Sequence, residues 1–215
     1  MGAIRQRANS GKPKAMSKTI DYYHFLISPW SYFAIGRFNE LRKKHDVDVN
    51  YKPIDVMQTF DNMGGLPPAK RHPSRQDIRM QELKRWANYL GVPINFTPAH
   101  FPTNQAMGAK MVYAANGATG NPQAADFSDA LLRACWAEEK DIADEATLVD
   151  VANACGLKGV ALLEQAKEEV FAQQLQLITD EAHGKQVFGS PTYVVGDEIF
   201  WGQDRIDFLE RHLET

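Results

Sequence analysis

Apolar positions cluster in short runs near the two ends of the chain and enclose a long middle patterned for helices. Tyr22 to Ile27 is an aromatic and β-branched run that predicts a strand near 20–27. Ser28-Pro29 follows, and Tyr32-Phe33-Ala34-Ile35 suits a helix near 29–45. Serine is a strong N-cap residue, and proline fits the first helical position because its missing N–H had no partner there. Val47 to Ile54 alternates apolar and polar residues until Pro53 and predicts a second strand. Two strands joined by one helix imply a parallel pair with a right-handed crossover.

From about 74 to 184 the pattern is helical, with no convincing strand. Met80, Leu83, Ala87 and Leu90 share one face, closed by Gly91 and Pro93. Phe127, Ala130, Leu131 and Ala134 share another, and Leu148, Val151, Ala152 and Cys155 a third. Strand signals return at Thr192-Tyr193-Val194-Val195 and Ile199-Phe200-Trp201, with Gly196-Asp197 marking a tight hairpin between them. Ile206, Leu209 and Leu213 form the core side of a closing helix. The expected class is α/β: a βαβ unit, a long all-helical insertion, then ββα. The boundaries read as a disordered leader over 1–19, one domain from 20–66 and 184–215, and an inserted helical domain over 67–183.

Composition narrows the function classes. The chain has 215 residues, 44% of them hydrophobic and 24% charged, the balance of an ordinary globular protein that stays in water. No apolar run is long enough to span a bilayer, and the leader lacks the apolar middle of a signal peptide. It carries Arg5, Arg7, Lys12, Lys14 and Lys18 with no acid, so removing those five charges from the formal −3 leaves −8 on the rest. That balance argues against nucleic acid as the main partner. Cys135 and Cys155 lie inside apolar helical patterns and read as inert buried thiols in a reduced cytoplasmic setting. The six histidines show no metal-ligand spacing, so no metal is expected. Gly-x-Gly-x-x-Gly after the first strand and Gly-x-Ser-x-Gly are both absent.

Three constellations carry the candidate chemistry. Ser28 and Ser31 sit where the first strand turns into its helix, at the positive end of the helix dipole. Ser28 reads either as a plain N-cap or as a hydroxyl that donates to a bound thiolate and lowers its pKa. A redox protein of this layout would have Cys-x-x-Cys here, so any sulfur chemistry needs a sulfur from outside. Val187-Phe188-Gly189-Ser190-Pro191-Thr192 places a proline at the start of a returning strand. It reads as an edge-strand start, or as a cis Ser190–Pro191 bond that exposes the Ser190 main chain to a peptide-like ligand. Trp201-Gly202-Gln203-Asp204-Arg205 opens the last helix. Asp204 reads as a cap or first-turn acid, or as a grip on the ammonium of an amino-acid head group.

In this order the residues resemble the 2-hydroxychromene-2-carboxylate isomerases, which belong with the kappa-class glutathione transferases and, more distantly, the DsbA-like thioredoxin-fold proteins. The resemblance runs from about residue 20 to the C-terminus and includes Leu83-Lys84-Arg85-Trp86-Ala87 with Gly91-Val92-Pro93. It implies a thioredoxin-like fold with a helical insertion, a homodimer, and glutathione as cofactor. By position Ser28 resembles the serine beside the glutathione sulfur, Ser190 and Pro191 the cis-proline turn, and Gln203 and Asp204 the γ-glutamyl contacts. The implied activity is cis–trans isomerisation of an aromatic conjugated 2-oxo acid by reversible thiolate addition. Conjugation of small electrophiles, or a DsbA-like binding protein without redox activity, are the alternatives.

The chain departs from that pattern at two places. Many relatives have asparagine before the Pro-Pro pair, where this chain has Gly65; Asn62 is the candidate substitute. Relatives often carry an acid a few residues before the serine, where this chain has Phe25. Lys70, Arg71, His72, Arg75 and Arg79 lead into the insertion's first helix and read as a solvated face. The alternative is that one of them meets an anionic carboxylate of a small aromatic substrate or of glutathione, and Arg75 and Arg79, one helical turn apart, are the better candidates.

Overall fold

The computed structural model describes residues 18–215. Of the leader expected over 1–19, residues 1–17 lie outside the described residues, and Thr19 already opens the first strand. The chain runs β1 (Thr19–His24), α1 (Pro29–His45), β2 (Asp48–Pro53), α2 (Val56–Asn62) and α3 (Pro73–Leu90). It continues with α4 (Ala106–Ala114), α5 (Pro122–Trp136), α6 (Glu145–Ala154), α7 (Gly159–Ala166) and α8 (Glu169–Gly184). It closes with β3 (Thr192–Val195), β4 (Glu198–Trp201) and α9 (Ile206–Leu213). The four strands lie in the order β2-β1-β3-β4. β1 pairs parallel with β2 and antiparallel with β3, and β3 and β4 form the hairpin turned by Gly196-Asp197.

The expected elements are present, and α2 is the addition. Its seven residues are too few for a readable period, and it starts because the Asp55 carboxylate accepts from the Gln58 N–H at 2.9 Å. α1 ends where Asp46 turns left-handed at φ 47°. Four basic residues, Arg42 to His45, occupy its last turn and complement the helix dipole.

β1 is central, and alternation gives it two different faces. On one, Tyr22 stacks with Tyr193 of β3 at 5.3 Å and meets Tyr51 of β2 edge-on at 5.1 Å. Phe38 of α1 packs 4.9 Å from the Tyr22 ring and closes this aromatic layer. On the other face the partners are charged. Lys52 lies 3.0 Å from Asp21 and 2.9 Å from Glu181 of α8, Lys185 contacts both acids, and the Tyr23 hydroxyl donates to Glu181. Each charge in this group has an opposite neighbour, which offsets its desolvation. Cys135 is buried and Cys155 partly buried, neither is in a disulfide, and burial pushes the Cys135 thiol up to about 12. No described helix is long and apolar enough to cross a membrane.

Two buried titratable groups oppose one another. His24 donates from Nδ1 to the Tyr22 carbonyl and accepts at Nε2 from Ser128, and burial lowers its pKa from 6.5 to about 3. Asp129 of α5 accepts from the Asn39 amide at 2.9 Å, while burial raises its carboxyl from 3.8 to about 6. A histidine depressed on folding contributes stability above pH 6.5 that is lost as pH falls toward 3. A carboxyl raised on folding acts the other way: the folded state prefers it protonated, so stability falls as pH rises from 3.8 through 6. Asp129→Asn removes only the second effect. Calorimetry should show the variant gaining on the parent by on the order of 2 kcal/mol in going from pH 4 to pH 8.

Candidate functional site

Where β1 ends, Phe25-Leu26-Ile27 turns the chain into α1, and the Ser28 N–H closes that turn on the Phe25 carbonyl at 3.0 Å. Ser28 caps α1: its Oγ accepts from the Ser31 N–H at 3.3 Å, and Pro29 takes the first helical position. The cap and the candidate functional position are therefore the same residue. A polar, 7% exposed Ser28 opens into a cavity of about 550 Å³ at the dipole's positive end.

The opposite wall comes from the turn before β3. Ser190–Pro191 is cis. Ser190 Oγ accepts from the Phe25 N–H at 2.8 Å and lies 2.6 Å from Ser31 Oγ. Thr192 Oγ1 donates to the Gly189 carbonyl, and the Gly202 N–H donates to the Pro191 carbonyl. Among the described residues the Ser190 main-chain N–H and C=O make no backbone hydrogen bond, and Ser190 lines the cavity. Trp201 packs across Gly189, where a Cβ would fall 2.5 Å from the indole nitrogen, so only glycine admits that cover. Phe188 contacts the same indole at 4.7 Å.

Aromatic side chains line much of the remainder: Phe25, Trp30, Phe60 and Phe101, with Phe25 and Phe60 in edge contact at 5.9 Å. Gly65 is also in the wall, and Phe60 fills the space a side chain there would need, its ring carbon 2.6 Å from an added Cβ. Asn62 ends α2 exposed and outside the lining. Phe25 is 5% exposed and contributes ring rather than charge.

The basic cluster corrects the reading from sequence. Arg71, His72, Arg75 and Arg79 all line the cavity, and Lys70 alone stays out of it. α3 begins beside the cavity mouth, so Arg75 and Arg79 line the cavity although His72 and Arg75 also stay exposed to solvent. Arg71 Nε donates to the Leu66 carbonyl at 2.7 Å, which holds the preceding loop. Desolvation lowers the Arg79 pKa first and Arg71 adds to it; desolvation and then Arg75 do the same at Arg71. No Asp or Glu lines the cavity.

Ser28, Ser190, Arg75 and Arg79 thus meet in one cavity, and the other expected residues lie around it. Ser31 is fully buried behind the wall, joining Ser28 to Ser190 rather than facing a ligand. Pro191 lies next to the lining. Gln203 is 3% exposed, its side-chain oxygen accepting from Arg37 at 2.6 Å. Asp204 does not cap α9: a 3-10 turn, Gln203–Arg205, intervenes, and its carboxylate folds back to Arg205 at 2.7 Å. Sequence reasoning missed Phe60 and Phe101 in the cavity and Gln105 beside it, and singled out Arg71 and Trp201 without placing them there. The Gln105 side chain donates to the Ile54 carbonyl at 2.7 Å and accepts from the Ile27 N–H at 3.3 Å.

A DSBA-like thioredoxin domain model matches residues 19–214. A 2-hydroxychromene-2-carboxylate isomerase from Sphingobium xenophagum is 33% identical over 92% of this chain and 99% of its own. Glutathione S-transferase kappa 1 of Caenorhabditis elegans is 27% identical, with 88% of each chain covered. The solved structure of a 2-hydroxychromene-2-carboxylate isomerase is similar with a TM-score of 0.79 and 26% identity, covering 91% of this chain and 94% of that one.

Ser190→Ala leaves the buried Phe25 N–H without its acceptor. Urea unfolding should show a loss of about 1–3 kcal/mol, larger than the about 1 kcal/mol expected for Ser28→Ala as a lost cap.

Proposed function

The chain belongs to the DSBA-like thioredoxin domain family and, within it, to the 2-hydroxychromene-2-carboxylate isomerases, and from that membership and the site geometry we propose that it is a glutathione-dependent isomerase. The substrate in this reading is an aromatic conjugated 2-oxo acid, isomerised between cis and trans. The observation that carries it is the meeting of the Ser28 hydroxyl, the Ser190 main chain and an aromatic, acid-free arginine wall in one cavity. Relatives at this level of similarity are enzymes of isomerase and glutathione transferase type.

The residues present fit a thiol peptide. The Ser190 N–H and C=O can pair with a cysteinyl main chain as a short antiparallel strand would. Ser28 Oγ sits where an anionic sulfur gains both a hydroxyl donor and the helix N-terminus, the arrangement that depresses a thiol pKa. The protein's own thiols are not in the cavity lining, and Cys135 stays protonated at neutral pH. Bound glutathione would supply the nucleophilic sulfur whose reversible addition makes a conjugated double bond single for the time needed to rotate. Ser28 holds the sulfur ionised before and after that addition. The rings at Trp30, Phe60 and Phe101 bind the aromatic body and exclude water. Arg75 and Arg79 hold the carboxylate and favour the electron-rich form of the conjugated acid. Gln203 and Asp204 serve the γ-glutamyl end in this reading, which requires Asp204 to exchange Arg205 for an ammonium.

Calorimetric titration with glutathione at millimolar concentration should show binding, and its absence would remove the proposal. Ser28→Ala should keep the fold within about 1 kcal/mol while lowering turnover of an arylidene pyruvate about a hundredfold, the scale of a lost oxyanion-type donor. Stability and turnover falling together would return Ser28 to the role of a cap. Conjugation to a model electrophile without isomerisation would favour the transferase alternative, which the kappa-class relative supports.

A further inference from the structure

The arginine wall is larger than one carboxylate requires. Arg71, Arg75 and Arg79 all face the cavity, with His72 beside them, and none of the three guanidinium groups is in an ion pair with any described acid. Arg71 uses only Nε, on the Leu66 carbonyl, and so keeps its terminal nitrogens free. Arg79 has a methionine sulfur at 4.0 Å as its one hydrogen-bond neighbour, and Arg75 has none. The groups are close enough to act on one another: Arg75 disfavours the charge on Arg71, and Arg71 that on Arg79. Lys52 and Lys185, by contrast, are neutralised by Asp21 and Glu181. Arg71 and Arg79, partly desolvated and without a counter-charge, raise the free energy of the empty site, with the more exposed Arg75 adding its field at Arg71, and an anion of matching charge relieves it.

We propose that this cavity takes an aromatic ligand carrying two acidic groups on neighbouring ring or side-chain positions, rather than a monoacid. This deepens the isomerase reading by naming its substrate class. One acid lies across Arg75 and Arg79, one helical turn apart on α3, and the second reaches Arg71, which contacts the field of both. The apolar body then lies against Phe60, Phe101 and Trp30, which line the same cavity. Charge-assisted, forked hydrogen bonds to both acids supply the discrimination, because a monoacid leaves one guanidinium unpaired.

The test is calorimetric binding of naphthalene-2-carboxylate and naphthalene-2,3-dicarboxylate to the full chain in low-salt buffer without thiol. The diacid should bind at least about tenfold tighter, the worth of one added charge-assisted bond. Arg75→Gln and Arg79→Gln should each bring the ratio to about twofold or less. Arg75 is exposed at the start of α3, so its substitution leaves the packing intact if Arg79→Gln fails to fold. Equal affinity for the two acids, or a preference that survives Arg75→Gln, overturns the proposal. A third arm repeats the titration with saturating S-methylglutathione. A retained preference supports the proposal, and its disappearance assigns the wall to the carboxylate of the tripeptide and overturns it. None of these arms involves turnover or a free thiol, so they stand or fall apart from the isomerase reading.

Discussion

Two serine hydroxyls 2.6 Å apart, Ser31 on α1 and Ser190 before β3, join stretches of chain separated by 159 residues. Everything at the cavity depends on that junction. The Ser31 N–H donates to Ser28 Oγ, and Ser190 Oγ receives the Phe25 N–H, so the helix cap, the end of β1 and the cis-proline turn form one hydrogen-bonded unit. Because Ser31 is fully buried, no water can replace a missing partner, and the geometry of the three segments is held together. The central position of β1 makes this possible. It pairs with β2 on one side and β3 on the other, which brings Phe25 and Ser190 within reach of one another.

Charge is distributed unevenly about this framework. On the far face of β1, Asp21, Lys52, Glu181 and Lys185 balance one another in a tight cluster that helps fasten α8 to the sheet. At the cavity the arginines have no such partners. The contrast separates a structural ion group, complete in itself, from a set of cations whose complement comes from outside the chain. Gly65 and Phe25 belong to the same pattern, since at both positions the wall is ring and backbone rather than a polar side chain.

The order of elements was legible in the sequence because each element announces itself locally. Ser28-Pro29 marks a helix start, alternation to Pro53 marks β2, Gly196-Asp197 marks the hairpin, and Ile206, Leu209 and Leu213 mark the buried side of α9. α2 escaped notice because seven residues show too little of a period. The basic run was misread for a different reason. Spacing shows that Arg75 and Arg79 share a helix face, but what that face meets depends on where α3 crosses the site. Asp204 has the right type for a cap, yet a 3-10 turn moves the cap of α9 one residue on, to Arg205.

Local chemistry determined the strands, the capped helix at Ser28, the absence of a cysteine pair at that helix end, and the Ser190-Pro191 turn, because propensity and capping act over a few neighbouring residues. Tertiary structure alone decided that Ser31 faces Ser190 and not a ligand, that Phe60 closes the space at Gly65, and that four basic residues look into the cavity. Each of those outcomes is a meeting of segments far apart in sequence, and no local pattern encodes which distant side chain will stand opposite.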